Sequence, residues 1–302
     1  MDVHLRDLRY FLAVADELNF TRAAERLYVS QPALSKQIKA LEQQLRVALF
    51  VRDRRTTQLT PAGATLLPHA REVVGRWDEA QRMVADTAAA DAAILTVGFS
   101  TSIGRGLLPS IRTHFAERHP DWQLTLKQVP WSDPTGGLVD GDTDVALVWL
   151  PVPGLDDAYS CQVLVTEPRW VALPLGHRLA DLDVVPFDAL LDEPFLALPA
   201  SAGPLRAYWL GEAERGDRPA RVSAVVTTAE ETFEAVANDV GIALLSAGNA
   251  TLYSRTDVLT RPVNGLSPSQ LAVLWRDNDH RTVIRDFILA CTTAADARNT
   301  QP

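Results

Sequence analysis

The feature that most constrains this chain lies between Asn19 and Leu59, where two short helical segments joined by three residues are followed by a charged hairpin. RAAERL reads as the first helix, with the Thr21 hydroxyl placed to cap it. Tyr28-Val29-Ser30 is the connection. Ser30 caps the next helix, and Pro32 falls in its first turn, where a missing N–H costs nothing. Upstream, Leu5, Leu8, Leu12 and Ala15 have the spacing of a buried helical stripe. Two helices joined this closely form a helix-turn-helix.

The helix after the turn has two faces. Leu34, Ile38, Leu41 and Leu45 follow helical spacing and are expected to be buried. Gln31, Ser35 and Lys39 share another face, with Lys36 beside them. Amide, hydroxyl and ammonium groups on one face can read base edges and hold phosphates in a major groove. Taken alone, the same residues also make an ordinary solvated face. LFVRDRRTTQLT then reads as two short strands around a turn bearing Arg52, Arg54 and Arg55. A hairpin in this place is a wing, and arginines there suit phosphate or narrow minor-groove contact.

Thr60-Pro61 opens a long helix, cap first and proline next. Leu66, Ala70, Val73, Trp77, Ala80, Val84 and Thr87 alternate spacings of four and three, a heptad seam that points to a dimer contact. Pro68 is expected to kink this helix. After the small-residue stretch 88–93 the texture changes. ILTVGFS, DWQLTLKQV and DVALVWLP read as strands, the last a continuous apolar run of the kind found in buried parallel sheets. RWVALPL, FLAL, RVSAVV, GIALLS and QLAVLWRD read as further strands, with amphipathic helices at about 104–120, 230–239 and 282–294.

Composition bounds the function. With 302 residues, 47% of them hydrophobic, the chain has material for two or three units. The net charge of −9 argues against nucleic acid until it is divided: residues 1–67 carry +3 and the remainder −12, a basic head on an acidic body. No apolar run approaches the roughly 18 residues of a membrane span. The N-terminus lacks the basic and apolar regions of a signal peptide, so a cytoplasmic setting without membrane contact is expected. Cys161 and Cys291 form no metal or redox spacing. The six histidines show no H-x-H or HExxH pattern, no G-x-S-x-G elbow is present, and neither an enzyme nor a metal or other cofactor is expected.

FTRAAERLYVSQPALSKQIKALEQQLRVALFVRDRRTTQLTPAG resembles, at nearly every position, the N-terminal domain of LysR-type transcriptional regulators. LLPSIRTHFAERHP, LVDGDTDVALV, VALPLGHRLA and VANDVGIALLS are similar to that family's C-terminal part and stand in its order, so the likeness spans roughly 5–295. The resemblance implies an α/β protein with a winged helix-turn-helix at 1–59 and a linker and dimerisation helix at 60–91. It implies a periplasmic-binding-protein-like effector domain at 92–302, with subdomain I at 92–163 and 268–302 and subdomain II at 164–267. It also implies a homodimer or homotetramer that binds double-stranded promoter DNA, with RNA polymerase as a candidate partner. By this resemblance Gln31, Pro32, Ser35 and Lys36 face the groove and Arg52 is the wing arginine. Thr21, Ser30, Lys39, Arg54 and Arg55 are assigned to phosphate on physical grounds. The chain departs from the family at Ser246, where a proline is common, and in Pro134-Thr135-Gly136-Gly137, which shortens the helix after Trp131.

A small-molecule effector, aromatic or another organic acid, is expected in the cleft between subdomains. Ser100-Thr101-Ser102 follows the first strand, where hydroxyls and a helix start favour an anion. Trp131-Ser132 and Trp149 follow the ends of later strands; each tryptophan lines the cleft or sits in a core, and the residues leave both open. Ser201-Ala202-Gly203 and Thr227-Thr228 are loop candidates from the second subdomain. Two other functions fit less well: a regulator whose cleft takes no ligand, and a solute-binding protein, against which the winged helix speaks.

Overall fold

The computed structural model describes residues 3–52, 57–101, 106–155 and 157–299. The chain divides into two compact units, Met1–Ala88 and Ala89–Pro302.

The first unit contains α1 (Leu5–Glu17), α2 (Phe20–Arg26), α3 (Gln31–Leu45), β1 (Phe50–Arg52), β2 (Thr57–Leu59) and the start of α4 (Pro61–Asp91). Phe11, Val14, Phe20, Leu34, Ile38 and Leu41 form its core, and the Phe50 ring closes it. That ring lies 5.4 Å from Phe11 and 5.9 Å from Phe20. The stripe expected on α1 is displaced: Phe11 and Val14 point inward, while Leu5, Leu8, Leu12 and Ala15 are only half-buried. Leu8, Leu12 and Ala15 pack against this core from its edge. One Glu42 carboxylate oxygen accepts from the N–H groups of Leu49 (2.8 Å) and Phe50 (3.2 Å), fixing where the hairpin leaves α3. β1 and β2 pair antiparallel from Phe50–Leu59 to Arg52–Thr57.

The Thr60 hydroxyl accepts from the Gly63 N–H at 3.0 Å and starts α4 as expected. The helix runs through Pro68 to Asp91. Its seam is split in use. Ala70 is buried and Leu66 packs against the core of the first unit. Val73, Trp77 and Val84 are instead 50%, 52% and 72% exposed. The expected seam therefore serves its own unit at the start and is open only from Val73 onward.

The second unit is built on two sheets. Its elements are β3 (Ile94–Phe99), α5 (Leu107–Arg118), β4 (Gln123–Gln128), β5 (Val145–Trp149), β6 (Tyr159–Glu167), β7 (Arg169–Pro174), β8 (Val185–Pro186), β9 (Pro194–Ala197), α6 (Pro204–Trp209), β10 (Arg221–Val225), α7 (Ala229–Ala237), β11 (Ala243–Ser246), α8 (Ala247–Leu252), β12 (Val258–Asn264), β13 (Ser269–Arg276) and α9 (Thr282–Asn299). The first sheet has the order β4-β3-β5-β13-β6, and the second β11-β7-β12-β8. A parallel pair, β10-β9, joins the second sheet where the Leu196 N–H donates to the Ile242 carbonyl (2.8 Å) and the Ile242 N–H to that of Pro194 (2.8 Å).

β3, β4 and β5 are parallel. All five residues of β5 are buried, as the unbroken apolar run requires. α5 and α9 cover this sheet through Ile111, Phe115, Ile284 and Phe287, with the Phe115 and Phe287 rings meeting edge-on at 5.8 Å. Cys291 is buried there, and burial pushes its thiol well above the ordinary range.

The chain passes between sheets twice, at Pro168 and at Gly265–Pro268. The first passage falls later than the expected boundary at 163–164, because β6 keeps pairing with β13 as far as Glu167 opposite Ser269. Arg169, fully buried, clasps both passages. Its guanidinium donates to the Ser267 carbonyl (2.8 Å), the Tyr208 carbonyl (2.7 Å) and the Glu214 carboxylate (2.5 Å). It also lies 4.3 Å from the centre of the Tyr208 ring. Burial raises the Glu214 pKa, but hydrogen bonds from Ser267 and the Arg169 charge outweigh it and hold this carboxyl below the usual carboxylate range.

Removing Arg169 leaves the partly exposed Glu214 carboxylate and two backbone carbonyls without their donor. Arg169→Met is expected to lower unfolding free energy by about 1–3 kcal/mol in urea titrations. The Glu214 contribution should be full above about pH 4.5, the ordinary value, and be lost as pH falls through its own lower value. The stability gap between the parent chain and Glu214→Gln should therefore close on acidification. A gap that stayed constant with pH would refute the assignment.

Candidate functional site

Two surfaces carry the residues singled out in the sequence, one in each unit. In the first unit, α3 begins at Gln31, and Ser30 caps it by accepting from the Ala33 N–H at 3.4 Å. Gln31, Pro32, Lys36 and Lys39 are exposed on α3, while Ser35 is half-buried between them. Leu34, Ile38 and Leu41 hold the opposite face in the core. Among the described residues Lys36 and Lys39 make no ion pair, unlike Arg22 and Arg26, which are drawn to Glu17 and Asp16. The two lysines are therefore free to meet an external anion.

The cap of α2 is a correction. Asn19, not Thr21, accepts from the Thr21 N–H (2.9 Å) and the Arg22 N–H (3.1 Å). The helix starts two residues earlier than RAAERL suggests, at Phe20, whose ring is buried in the core. This leaves the Thr21 side chain exposed. Tyr28 takes a left-handed conformation (φ 54°) at the turn and is 97% exposed. Arg52 ends β1, and Arg54 and Arg55 lie outside the described residues.

In the second unit a cavity of about 80 Å³ lies between the two sheets. The carboxyl ends of β3, β4 and β5 bring Ser100, Thr101, Trp131 and Trp149 to one wall. Both indole N–H groups are engaged: Trp131 donates to the Ser100 carbonyl (3.2 Å) and Trp149 to the Thr101 hydroxyl (3.0 Å). Each indole is thus fixed in orientation and presents carbon to the cavity. The facing wall comes from α6, α7 and α8, through Leu205, Trp209, Phe233, Asn249 and Tyr253.

Several expected residues are not brought to this cavity. Ser132 is exposed in the turns that follow β4. Ser201 and Gly203 are exposed, and Ala202 is fully buried in the packing. The Thr228 hydroxyl accepts from the Glu231 N–H (3.1 Å), while Thr227 donates to the Glu231 carboxylate (2.7 and 2.9 Å). The Thr228 hydroxyl and the Glu231 carboxylate thus hold the start of α7, just beside the cavity-lining Val226 and Ala229. The second wall is made of helix faces together with strand residues such as Ala172, Leu196 and Leu245 and the connecting residues Leu198 and Val226. Trp209 and Phe233 were missed, although each is a large ring on an amphipathic segment beside a nominated loop. Ser102 lies outside the described residues, and α5 begins only at Leu107.

The segment after Trp131 holds no helix. Asp133 organises it as turns, accepting from the Thr135 N–H and the Gly137 N–H, each at 2.8 Å. Gly98 allows this: a Cβ there would stand 1.9 Å from the Gly136 carbonyl oxygen.

Two family descriptions match the chain. "Bacterial regulatory helix-turn-helix protein, lysR family" covers residues 5–64, and "LysR substrate binding domain" covers residues 88–296. The chain is 33% identical to the Hca operon transcriptional activator HcaR of Escherichia coli (strain K12), over 95% of this chain and 96% of the relative. It is 27% identical to the HTH-type transcriptional regulator AlsR of Bacillus subtilis (strain 168), over 95% and 94%. The solved structure of full-length BenM is similar at a TM-score of 0.54 and 26% identity, covering 99% of both chains.

Asn19→Ala should lower the stability of the first unit by about 1 kcal/mol, read as a shift of the urea midpoint. Thr21→Ala should shift it far less; equal effects would return the cap to Thr21.

Proposed function

The chain belongs to the LysR family of bacterial transcriptional regulators, and we propose that α3 reads its operator while the cavity between the two sheets receives the effector. The observation that carries this reading is α3, whose Gln31, Pro32, Lys36 and Lys39 are exposed while its other face is locked in the core. A rigid polar helix of this kind enters a major groove. Gln31, Pro32, Ser35 and Lys36 meet base edges and nearby backbone; Lys39, Thr21, Ser30 and the wing arginines Arg52, Arg54 and Arg55 hold phosphates. Residues 1–59 act as the DNA-binding domain, 60–91 as the linker helix and 92–302 as the effector-binding domain. The protein acts in the cytoplasm, without catalysis, alongside RNA polymerase.

Assembly follows from α4. Val73, Trp77 and Val84 continue the heptad spacing on an exposed face, which suits a second copy of the same helix. Dimers joined in pairs give a tetramer. The effector, held at Ser100 and Thr101 and against Trp131 and Trp149, changes how the two sheets sit about Pro168 and 265–268, and so changes the geometry presented to DNA.

Two experiments test this. Gln31→Ala should lower discrimination between operator and mutated operator by about 1–3 kcal/mol. Lys39→Ala should weaken all sequences alike and reduce the salt slope by about one. Identical behaviour of the two variants would sink the sorting. Trp77→Glu should lower the mass of the assembly in light scattering, and an unchanged mass would remove α4 from the interface.

A further inference from the structure

The cavity between the two sheets has a chemistry more specific than its place in the fold. Five aromatic side chains line it: Trp131, Trp149, Trp209, Phe233 and Tyr253. Trp149 and Trp209 meet edge-on across it, with ring centres 6.0 Å apart and planes at 80°. Phe233 and Tyr253 lie 5.6 Å apart with planes at 31°. Among the described lining residues none bears a formal charge at neutral pH. The polar groups there are hydroxyls and one amide, and the indole N–H groups of Trp131 and Trp149 are already engaged. At Ser100 and Thr101 the hydroxyls remain able to donate, the Thr101 oxygen serving as acceptor for Trp149.

Charge and size both limit the ligand. A carboxylate buried without a cation is costly unless hydrogen-bonded, and among the described lining residues the adjacent Ser100 and Thr101 hydroxyls are placed to serve one such group. The cavity measures about 80 Å³, below the ~150 Å³ that hosts a benzene ring in a protein interior. One ring therefore already requires the walls to part, and two fused rings require a wider parting.

Resting on the assignment of this cavity as the effector site, we propose that the effector is a monocyclic aromatic compound with a single small polar or singly charged group. The ring sits among Trp131, Trp149 and Phe233, and the polar group meets Ser100 and Thr101. Phe233 and Trp209 set the size limit. Edge and face contacts of this kind favour a flat ring over an aliphatic chain of equal area.

The test uses the full chain, with tryptophan fluorescence and thermal shift as readouts and millimolar benzoate, benzamide, 2-naphthoate, succinate and adipate as probes. Benzoate or benzamide should quench fluorescence and raise the melting temperature, while naphthoate and the aliphatic diacids do neither. Phe233→Leu keeps the position apolar and should weaken the aromatic probe about tenfold. Phe233→Ala, where it folds, should admit naphthoate. Preferential binding of a diacid would overturn the aromatic assignment and leave the cavity as effector site standing. Saturable naphthoate binding to the unaltered chain would overturn the size limit. No binding by any probe, with binding to its own promoter region intact, would overturn the aromatic assignment and the effector site together.

Discussion

The second unit depends on one strand. Every residue from Val145 to Trp149 is buried, so neither face of β5 can meet water. A strand of this kind needs hydrogen-bonded neighbours on both edges and apolar cover on both faces. β3 and β13 supply the edges. α5 and α9 supply the cover on one face, and the turns organised by Asp133 bring Leu138 to the other, against Ala146 and Val148. Because β3, β4 and β5 run parallel, their carboxyl ends fall together. Ser100, Thr101, Trp131 and Trp149 meet at one wall for that reason, although they span some fifty residues of sequence.

Local patterns were legible where local chemistry decides the outcome. The core face of α3, the Ser30 and Thr60 caps and the buried run of β5 all follow from spacing within one element. The cap of α2 did not, because Asn19 and Thr21 are both good caps and the choice was made by Phe20 reaching the core. β6 and β12 escaped the reading for a related reason. Tyr159–Glu167 and Val258–Asn264 carry mixed burial and little apolar contrast, and pairing with β13 and β7 makes them strands. Thr227 and Thr228 show the same limit in the site: hydroxyls before a helix serve a cap or a ligand, and only the position of Glu231 shows the cap.

The wall from α6 and α7 was the least legible part of the cavity. Trp209 and Phe233 are ordinary residues of amphipathic helices until the two sheets face each other. Their role arises from packing over long sequence separation. The charge asymmetry of the chain was visible from the start and fits the division of labour: exposed lysines lie on α3, while the lined cavity carries no formal charge among the described residues.

The Arg169 clasp has a consequence for motion. Two passages connect the sheets, and independent rotation at each would allow both bending and twisting. Arg169 stands at the end of the first passage and grips Ser267 in the second, while Glu214 and Tyr208 anchor the same guanidinium to the α6 region. A displacement at one passage is therefore imposed on the other. Moving one passage without the other would have to stretch the hydrogen bonds from Arg169 to Ser267, and Trp209, the neighbour of Tyr208 in α6, is tied to the same guanidinium through the Tyr208 carbonyl.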